Sequence, residues 1–420
     1  MTATGGATVG RASGGPWMAA RAATLLRVMI GLWIFSGFFV LIEPAPYELL
    51  FLAVLGLAIF AGFRVYPGTL PLLGMFVCFV PFALIAVFQV RYNDLDTTLI
   101  YTLVTVFLLL TSYFAANFVA QSPLRNVRLI GSAYIAAAVV SAAVGSLAYL
   151  GVIPGEELLL RFGRAKAFFK DPNVFGPFLV LPAMILLQRL LLGRERLPLR
   201  NAVLFLVLFT GIFLSFSRGA WGHFAASAAM VFVLCFFLEA SGRDKVRMLL
   251  IAMAGLMAMS LALVALLSVE DVAALFADRF ALTQSYDSGE TGRFGRIGYA
   301  FDLALTHPLG LGPLEFGYLR ISEQPHNTYV NVLHAYGWGG GMVYMVLVVW
   351  TLAKGAKALL RASPSRVLLI PVYGTFVPMI LLSAIIDTDH WRHWFLVTGL
   401  VWGIVAAYDR RDAGAEGGLP

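Results

Sequence analysis

His326 and Asn327 stand together where a polar stretch of the chain gives way to a long apolar run. Dehydrating either side chain at such a seam is costly unless it meets partners. An imidazole titrates near neutrality and accepts a proton at working pH, so His326 is a candidate general base. Cationic residues keep it company: Arg161, Arg164, Lys166 and Lys170 in "LLLRFGRAKAFFKDPNVFG", Arg218 in "LSFSRGAWGH", and Arg293 and Arg296 in "ETGRFGRIGYA". A guanidinium grips phosphate oxygens with two parallel hydrogen bonds. Together these residue types suit proton abstraction beside a bound anion.

Each has a structural alternative. Arg218 lies near the middle of "AVLFLVLFTGIFLSFSRGAWGHFAASAAMVFVLCFF", which is too long for one span and reads as two spans meeting at a tight turn. An arginine there either snorkels to headgroups or holds an anion. Arg293 and Arg296, spaced i, i+3 in the first turn of an expected helix, oppose its dipole. A bound anion would reverse that cost, and a solvated charged face is the alternative. His326 itself could be a headgroup-level structural residue. No HExxH, CxxC, Walker or dinucleotide motif occurs, and His307 and His334 form no ligand spacing with His326. No metal and no cofactor are expected. Asp94-Leu-Asp96 and Asp387-Thr-Asp389 resemble metal-holding D-x-D pairs, but two carboxylates alone do not complete a cation site.

The elements that position these residues follow from composition. Of 420 residues, 60% are hydrophobic and 13% charged, and apolar stretches near membrane-spanning length recur throughout. The fold class expected is an all-α polytopic integral membrane protein, since a barrel would show short alternating strands. We count about 12 transmembrane helices, near 23–42, 47–63, 69–90, 97–120, 129–152, 174–192, 202–216, 219–238, 248–267, 328–350, 367–386 and 394–408. No small-residue cleavage site follows the first apolar run, which reads as an uncleaved span. Cys78 and Cys235 fall inside apolar runs, so neither a disulfide nor a thiolate metal site is expected. With both termini cytoplasmic, roughly 19 of the 30 Lys and Arg lie inside, against roughly 6 of the 23 acids, as the positive-inside rule requires. The net charge of +7 thus sets orientation and gives little reason to expect a nucleic-acid partner.

This divides the chain into a cytoplasmic tail 1–22, helices one to nine over 23–267, a long periplasmic loop 268–327, the last three helices over 328–408 and a second tail 409–420. Both tails read as disordered. A sixty-residue loop among tight turns is unusual and often functional. Two amphipathic helices are expected in it. Ser268 would cap the first, with Asp271 three residues on and Val272, Leu275, Phe276 and Phe280 as its apolar stripe. Ile297, Phe301 and Leu305 form the stripe of the second, which "HPLGLGP" ends. The two helices would lie on the outer membrane face or cap a cavity between spans.

These residues resemble a known family. "HNTYVNVLHAYGWGG" fits His-[Asn/Ser/Gln]-x9-Gly-x-x-Gly through His326, Asn327, Gly337 and Gly340, and so resembles the motif of bacterial O-antigen ligases within the ligase/polymerase superfamily. "FSFSRGAWG", "FKDPNVFGPFL" and "TGRFGRIGYAFDLALTHPLGLGPLEFG" are similar to that superfamily's Ser-Arg-Gly, Asp-Pro-Asn and arginine-helix segments. The resemblance covers about residues 160–345, with the motifs in family order. His334 stands where many relatives carry an acidic residue. The resemblance implies a glycosyltransferase of the bacterial inner membrane whose active site faces the periplasm. Its donor would be an undecaprenyl-diphosphate-linked glycan and its acceptor lipid A–core, with membrane lipid around both. No nucleotide is needed, because the diphosphate leaving group stores the free energy. His326 would act as base, with Arg218, Arg293, Arg296, Arg161, Arg164 and Asn327 binding diphosphate or substrate. A polymerase, which uses another lipid-linked repeat as acceptor, is the alternative within the superfamily. A lipid-glycan flippase or transporter is the alternative outside it, and would show paired repeats and helices broken at mid-membrane.

Overall fold

Small polar residues set where the helices begin. Asp94, Asp171, Ser217, Ser241 and Asn327 each accept a backbone N–H from the turn they open. In the computed structural model the described residues are 16–42, 44–193, 197–280, 289–290, 292–319 and 323–416. They form α1 (Pro16–Phe35), α2 (Pro46–Phe60), α3 (Leu70–Val87), α4 (Leu95–Gln121), α5 (Pro123–Tyr149) and the short α6 (Glu156–Leu159). A hairpin of β1 (Leu160–Arg161) and β2 (Arg164–Ala165) follows, then α7 (Pro172–Phe178), α8 (Val180–Leu192), α9 (Pro198–Leu214) and α10 (Arg218–Leu238). The rest is α11 (Gly242–Leu267), α12 (Glu270–Phe280), α13 (Arg293–Thr306), α14 (Thr328–Leu360), α15 (Arg366–Leu382) and α16 (Arg392–Glu416).

Among the described residues, eight helices are long and apolar enough to cross a membrane: α1, α3, α4, α5, α7 with α8, α10, α11 and α14. The other expected spans fall on α2, α9, α15 and α16, of which α2, α9 and α15 are shorter apolar helices. The chain is an all-α, multi-pass membrane protein. Helices dominate because each satisfies its own backbone polar groups where no water can. At both ends helix extends into the stretches read as tails, since α1 begins at Pro16 and α16 runs to Glu416. Residues 1–15 and 417–420 lie outside the described residues.

α16 is the central element, packed along α4. Gly399 and Gly403, four residues apart, face α4 so closely that a Cβ on either would sit 2.4 Å from a carbonyl oxygen, that of Ser112 or of Ala116. Small residues at this spacing let two backbones approach within a membrane. Trp394 and Trp402 of α16 are almost fully buried beside them. At the end that carries His326, Arg392 pairs with Glu48 at 2.6 Å and joins α16 to the start of α2. At the other end Arg366 pairs with Glu239 at 2.7 Å.

The long loop holds two helices, with one correction to the reading of the first. Ser268 does not cap α12. It closes α11, and its hydroxyl donates to the Ala265 carbonyl at 2.7 Å. α12 buries Val272 and packs Phe276 at a tilt against Trp221 of α10, with ring centroids 5.6 Å apart, while Phe280 is exposed. In α13 Phe301 and Leu305 of the expected stripe face away from the bundle. The helix packs Arg296, Ala300 and Ala304 against α14, while Phe301 and Leu305 are exposed with Phe294. Alanines permit close packing, so the large apolar side chains turn outward, as in helices that lie in a membrane interface.

α14 is broken. Gly337 has φ +70°, ψ −175°, so the helix is interrupted between Tyr336 and Trp338. The turn after α13 fills the gap. Leu311 and Gly312 donate to the carbonyls of His334 and Ala335 at 2.8 and 3.0 Å, and Trp338 N–H donates to the Pro308 carbonyl at 3.0 Å. The Trp338 indole N–H adds a bond to the Ala304 carbonyl at 2.8 Å. A Cβ on Gly337 would lie 2.4 Å from the Pro308 oxygen, so only glycine fits. "HPLGLGP" is therefore the backbone partner of a broken helix.

Candidate functional site

His326 precedes the first turn of α14 with φ +55°, a left-handed conformation uncommon for a residue with a side chain. Its neighbours fix that turn. Asn327 caps α14 by accepting from Val330 N–H at 3.1 Å, and its amide donates to the Ala384 carbonyl at 2.9 Å. Thr328 N–H donates to the Ser383 carbonyl at 2.8 Å, and Thr328 Oγ1 accepts from Thr388 N–H at 2.7 Å. The start of α14 is thus sewn to the segment between α15 and α16.

That segment brings Asp387 to His326, with Nδ1 3.3 Å from Oδ2. Burial pushes the Asp387 carboxyl up, and the hydrogen bond from His326 pulls it partly back. Its other oxygen, Oδ1, is buried without a hydrogen-bond partner among the described residues. Two residues on, Asp389 accepts from Asn331 at 3.1 Å and Tyr101 at 3.3 Å, and lies 3.5 Å from His390. Burial opposes ionisation of Asp389 too, but the His390 imidazole, a backbone hydrogen bond and the Tyr101 hydroxyl together hold the carboxyl below its ordinary range. The second D-x-D pair is thus turned toward two histidines. The first has a different task, since Asp94 caps α4.

The loop arginines reach this place through Glu323. Arg296 is almost fully buried, with its side chain only 4% exposed, and pairs with Glu323, whose side chain is 63% exposed. Arg296 holds the Glu323 carboxyl below its ordinary range, with His326 and Arg293 adding to the effect. Those three sequence-derived candidates therefore converge on one carboxylate. Arg218 opens α10 half-buried, after Phe216 at φ +44° and the cap Ser217. Gly219 abuts Leu382, where a Cβ would lie 2.8 Å from Leu382 Cδ1, one residue from the Ser383 that anchors α14. Arg218 thus shares the His326 face.

Arg161 and Arg164 have structural work. They oppose each other across the β1–β2 hairpin, whose turn residues Phe162 and Gly163 both have positive φ. Arg164 is buried, donating from Nε to the Ser215 carbonyl at 2.9 Å and from Nη2 to Asn173 Oδ1 at 2.8 Å. It ties the hairpin to the α9–α10 turn and to the start of α7. Arg161 is exposed and pairs with Asp171 at 3.2 Å. Lys166 is pulled down by burial.

Sequence reasoning gave no role in the site to Glu323 or His390, and it weighed Asp387 and Asp389 only as metal ligands. "DTDH" put two acids and a histidine together, and Glu323 lies three residues before His326. Both were visible as strings without partners. Beside the site, α8 to α12 surround an apolar chamber of about 2170 Å³, including its open side, lined by Leu187, Phe205, Phe209, Trp221, Phe232 and Phe276 among others.

Residues 203–345 match the family model described as O-Antigen ligase. The match runs from α9 into the first half of α14, spans the Ser-Arg-Gly turn, α13 and His326, and supports the O-antigen ligase/polymerase superfamily for this chain. No curated protein matches the chain.

Proposed function

We propose, with the superfamily match as premise, that this protein transfers a glycan from undecaprenyl diphosphate to lipid A–core at the periplasmic face of the inner membrane. The observation that carries the reading is the His326–Asp387 contact at 3.3 Å. With Nδ1 turned to the carboxylate, Nε2 is left for an acceptor hydroxyl, and the carboxylate steadies the imidazolium that forms. The acceptor oxygen attacks the anomeric carbon as its proton passes to Nε2. The bond from that carbon to the diphosphate breaks, its electron pair leaving with undecaprenyl diphosphate. Attack opposite the leaving group inverts the configuration.

Negative charge builds on the departing diphosphate, and preorganised cations there are worth on the order of 100-fold or more in rate. Arg296 suits this task because its guanidinium is buried while its partner Glu323 is exposed. Glu323 keeps the place that a diphosphate oxygen would take and can swing into water. Arg293 and Arg218 share that face. Arg164 positions the surrounding segments. The chamber among α8 to α12 offers an apolar surface for a polyprenyl chain.

A transporter reading would draw on the break in α14. Its freed backbone groups are taken by residues 308–312, which leaves the break closed to an ion.

The test is reconstitution of purified protein with lipid-linked glycan and lipid A–core. Wild type should transfer, and His326→Ala should lose about 100- to 10,000-fold while inserting normally. Wild-type rates from His326→Ala would overturn the base assignment. Products lengthened on the lipid carrier, with lipid A–core left bare, would replace ligase by polymerase.

A further inference from the structure

We propose, resting on the function above, that the tip of the β1–β2 hairpin is a saccharide subsite, where a pyranose ring of the donor glycan or of the acceptor lies against the Phe162 phenyl group. The tip is strained. A two-residue turn of this hand holds both central residues at positive φ, and Phe162 and Gly163 sit at +53° and +64°. Glycine and asparagine adopt that conformation readily, whereas a bulky side chain there is rare. Packing does not account for the phenylalanine, because the residue is 75% exposed. Strain of this kind persists where the surroundings hold it, and it clusters at ligand sites.

The surroundings of the ring are braced. Arg164 ties the second strand to the Ser215 carbonyl and to Asn173. Lys166 Nζ donates to the Leu158 carbonyl. Arg161 Nη1 donates to the Lys170 carbonyl at 3.1 Å and to Asp171 Oδ2 at 3.2 Å, and its guanidinium carbon lies 5.1 Å from the centre of the Phe162 ring. Both bonds leave from one nitrogen of a group that carries five N–H donors. Asp171 is held in turn, since its Oδ1 accepts from Asn173 N–H at 2.7 Å. A rigid phenyl ring thus stands beside a fixed and exposed ion pair. A pyranose has the matching chemistry, with C–H groups over one face and hydroxyls around the rim. C–H groups are drawn to the negative face of an aromatic ring, and hydroxyls bond strongly to guanidinium and carboxylate. A membrane anchor would look different. Interfacial aromatic residues keep company with cations that meet anionic lipid. Here Arg161 is paired, and Glu156 and Glu157 stand exposed just before the hairpin. Ser215, which Arg164 holds, lies three residues before Arg218. The platform therefore borders the site and serves a sugar away from the reacting carbon.

The test uses full-length protein in nanodiscs and takes two measurements. The first is transfer, with lipid-linked glycan and lipid A–core varied separately. Phe162→Asn suits the left-handed turn and should melt no lower than wild type. It should nonetheless raise the KM of one substrate about 3- to 10-fold, the strength of an aromatic contact, with kcat unchanged. Which KM moves tells a donor sugar from an acceptor sugar. The second is binding of the free oligosaccharides, cut from the lipid-linked glycan and from lipid A–core by mild acid, read by saturation-transfer NMR. This needs no turnover, so binding by a wild type that fails to transfer would count against the ligase reading and still support the subsite. Binding should weaken about 3- to 10-fold in Phe162→Asn and hold in Phe162→Tyr. Phe280→Ala removes an exposed phenyl from α12 and should bind as wild type does. Unchanged KM values and binding in Phe162→Asn, or equal weakening in Phe280→Ala, would overturn the subsite. A lower melting temperature in Phe162→Asn would make the ring structural and overturn it too. Quenching of the added emission of Phe162→Trp by lipids brominated in the acyl chain would make the hairpin a membrane anchor and overturn the saccharide assignment.

Discussion

Glu323 holds the least obvious position among the charged residues of the site. Its carboxylate is largely in water, yet its partner Arg296 is not. A pair half in water contributes modestly to stability, and on the proposed function its importance lies in competition with the donor diphosphate. Glu323→Gln is expected to lower the KM for the lipid-linked donor about two- to fivefold, the equivalent of an exposed ion pair, with kcat unchanged. A raised KM would make Glu323 a binding residue instead. The pH dependence has a definite sign. Arg296 holds the Glu323 carboxyl below its ordinary 4.5. A depressed carboxylate contributes stability that is complete above the unfolded value and lost as pH falls through the folded one. Wild type and Glu323→Gln should therefore differ in melting temperature above pH 4.5 and converge below it. His326 and the arginines stood out as candidates because histidine and guanidinium are scarce where lipid begins. Asp387 and Glu323 were not, because a carboxylate acquires its role from whichever residue the fold sets opposite it.

Helix existence was plain from apolar runs, but helix orientation was not. The stripe of Ile297, Phe301 and Leu305 was read as lying on the outer membrane face or capping a cavity, and α13 turns Phe301 and Leu305 away from the bundle while it packs its alanines inward. Hydrophobic periodicity finds an apolar stripe without telling whether protein or membrane will cover it. The break in α14 was hidden for a related reason. Gly337, Gly339, Gly340 and Gly341 crowd one stretch of α14, and Gly337 alone adopts a positive φ among them. Gly337→Ala should cost about 1–3 kcal/mol from backbone strain, and more from the clash with Pro308. Detergent-solubilised protein should melt several degrees lower, and an unchanged melt would mean that the break can close.

At the scale of the molecule, topology rests on charge. Roughly two-thirds of the basic residues were assigned to one side, and that assignment puts α13 outside the cell membrane. A single thiol from Phe294→Cys, an exposed position on α13, should react with an impermeant reagent in intact spheroplasts. A thiol at Lys357, on the opposite face, should react only after the membrane is opened. The reverse pattern would invert the protein and place His326 in the cytoplasm. Ser288, in the same loop, lies outside the described residues, which makes Phe294 the better probe. About 12 spans were read; among the described residues eight helices meet the length and composition of a span, and α2, α9 and α15 are shorter apolar helices.

The turn at 308–312 has one more consequence. The amides of Leu311 and Gly312 are covered by carbonyls of α14, and that of Trp338 in α14 by the turn at Pro308, each distant in sequence. Their exchange with deuterium therefore measures how firmly the cap sits on the bundle, on the local scale of opening free energies. These three positions are clocks for cap docking that run whether or not a glycan is being transferred.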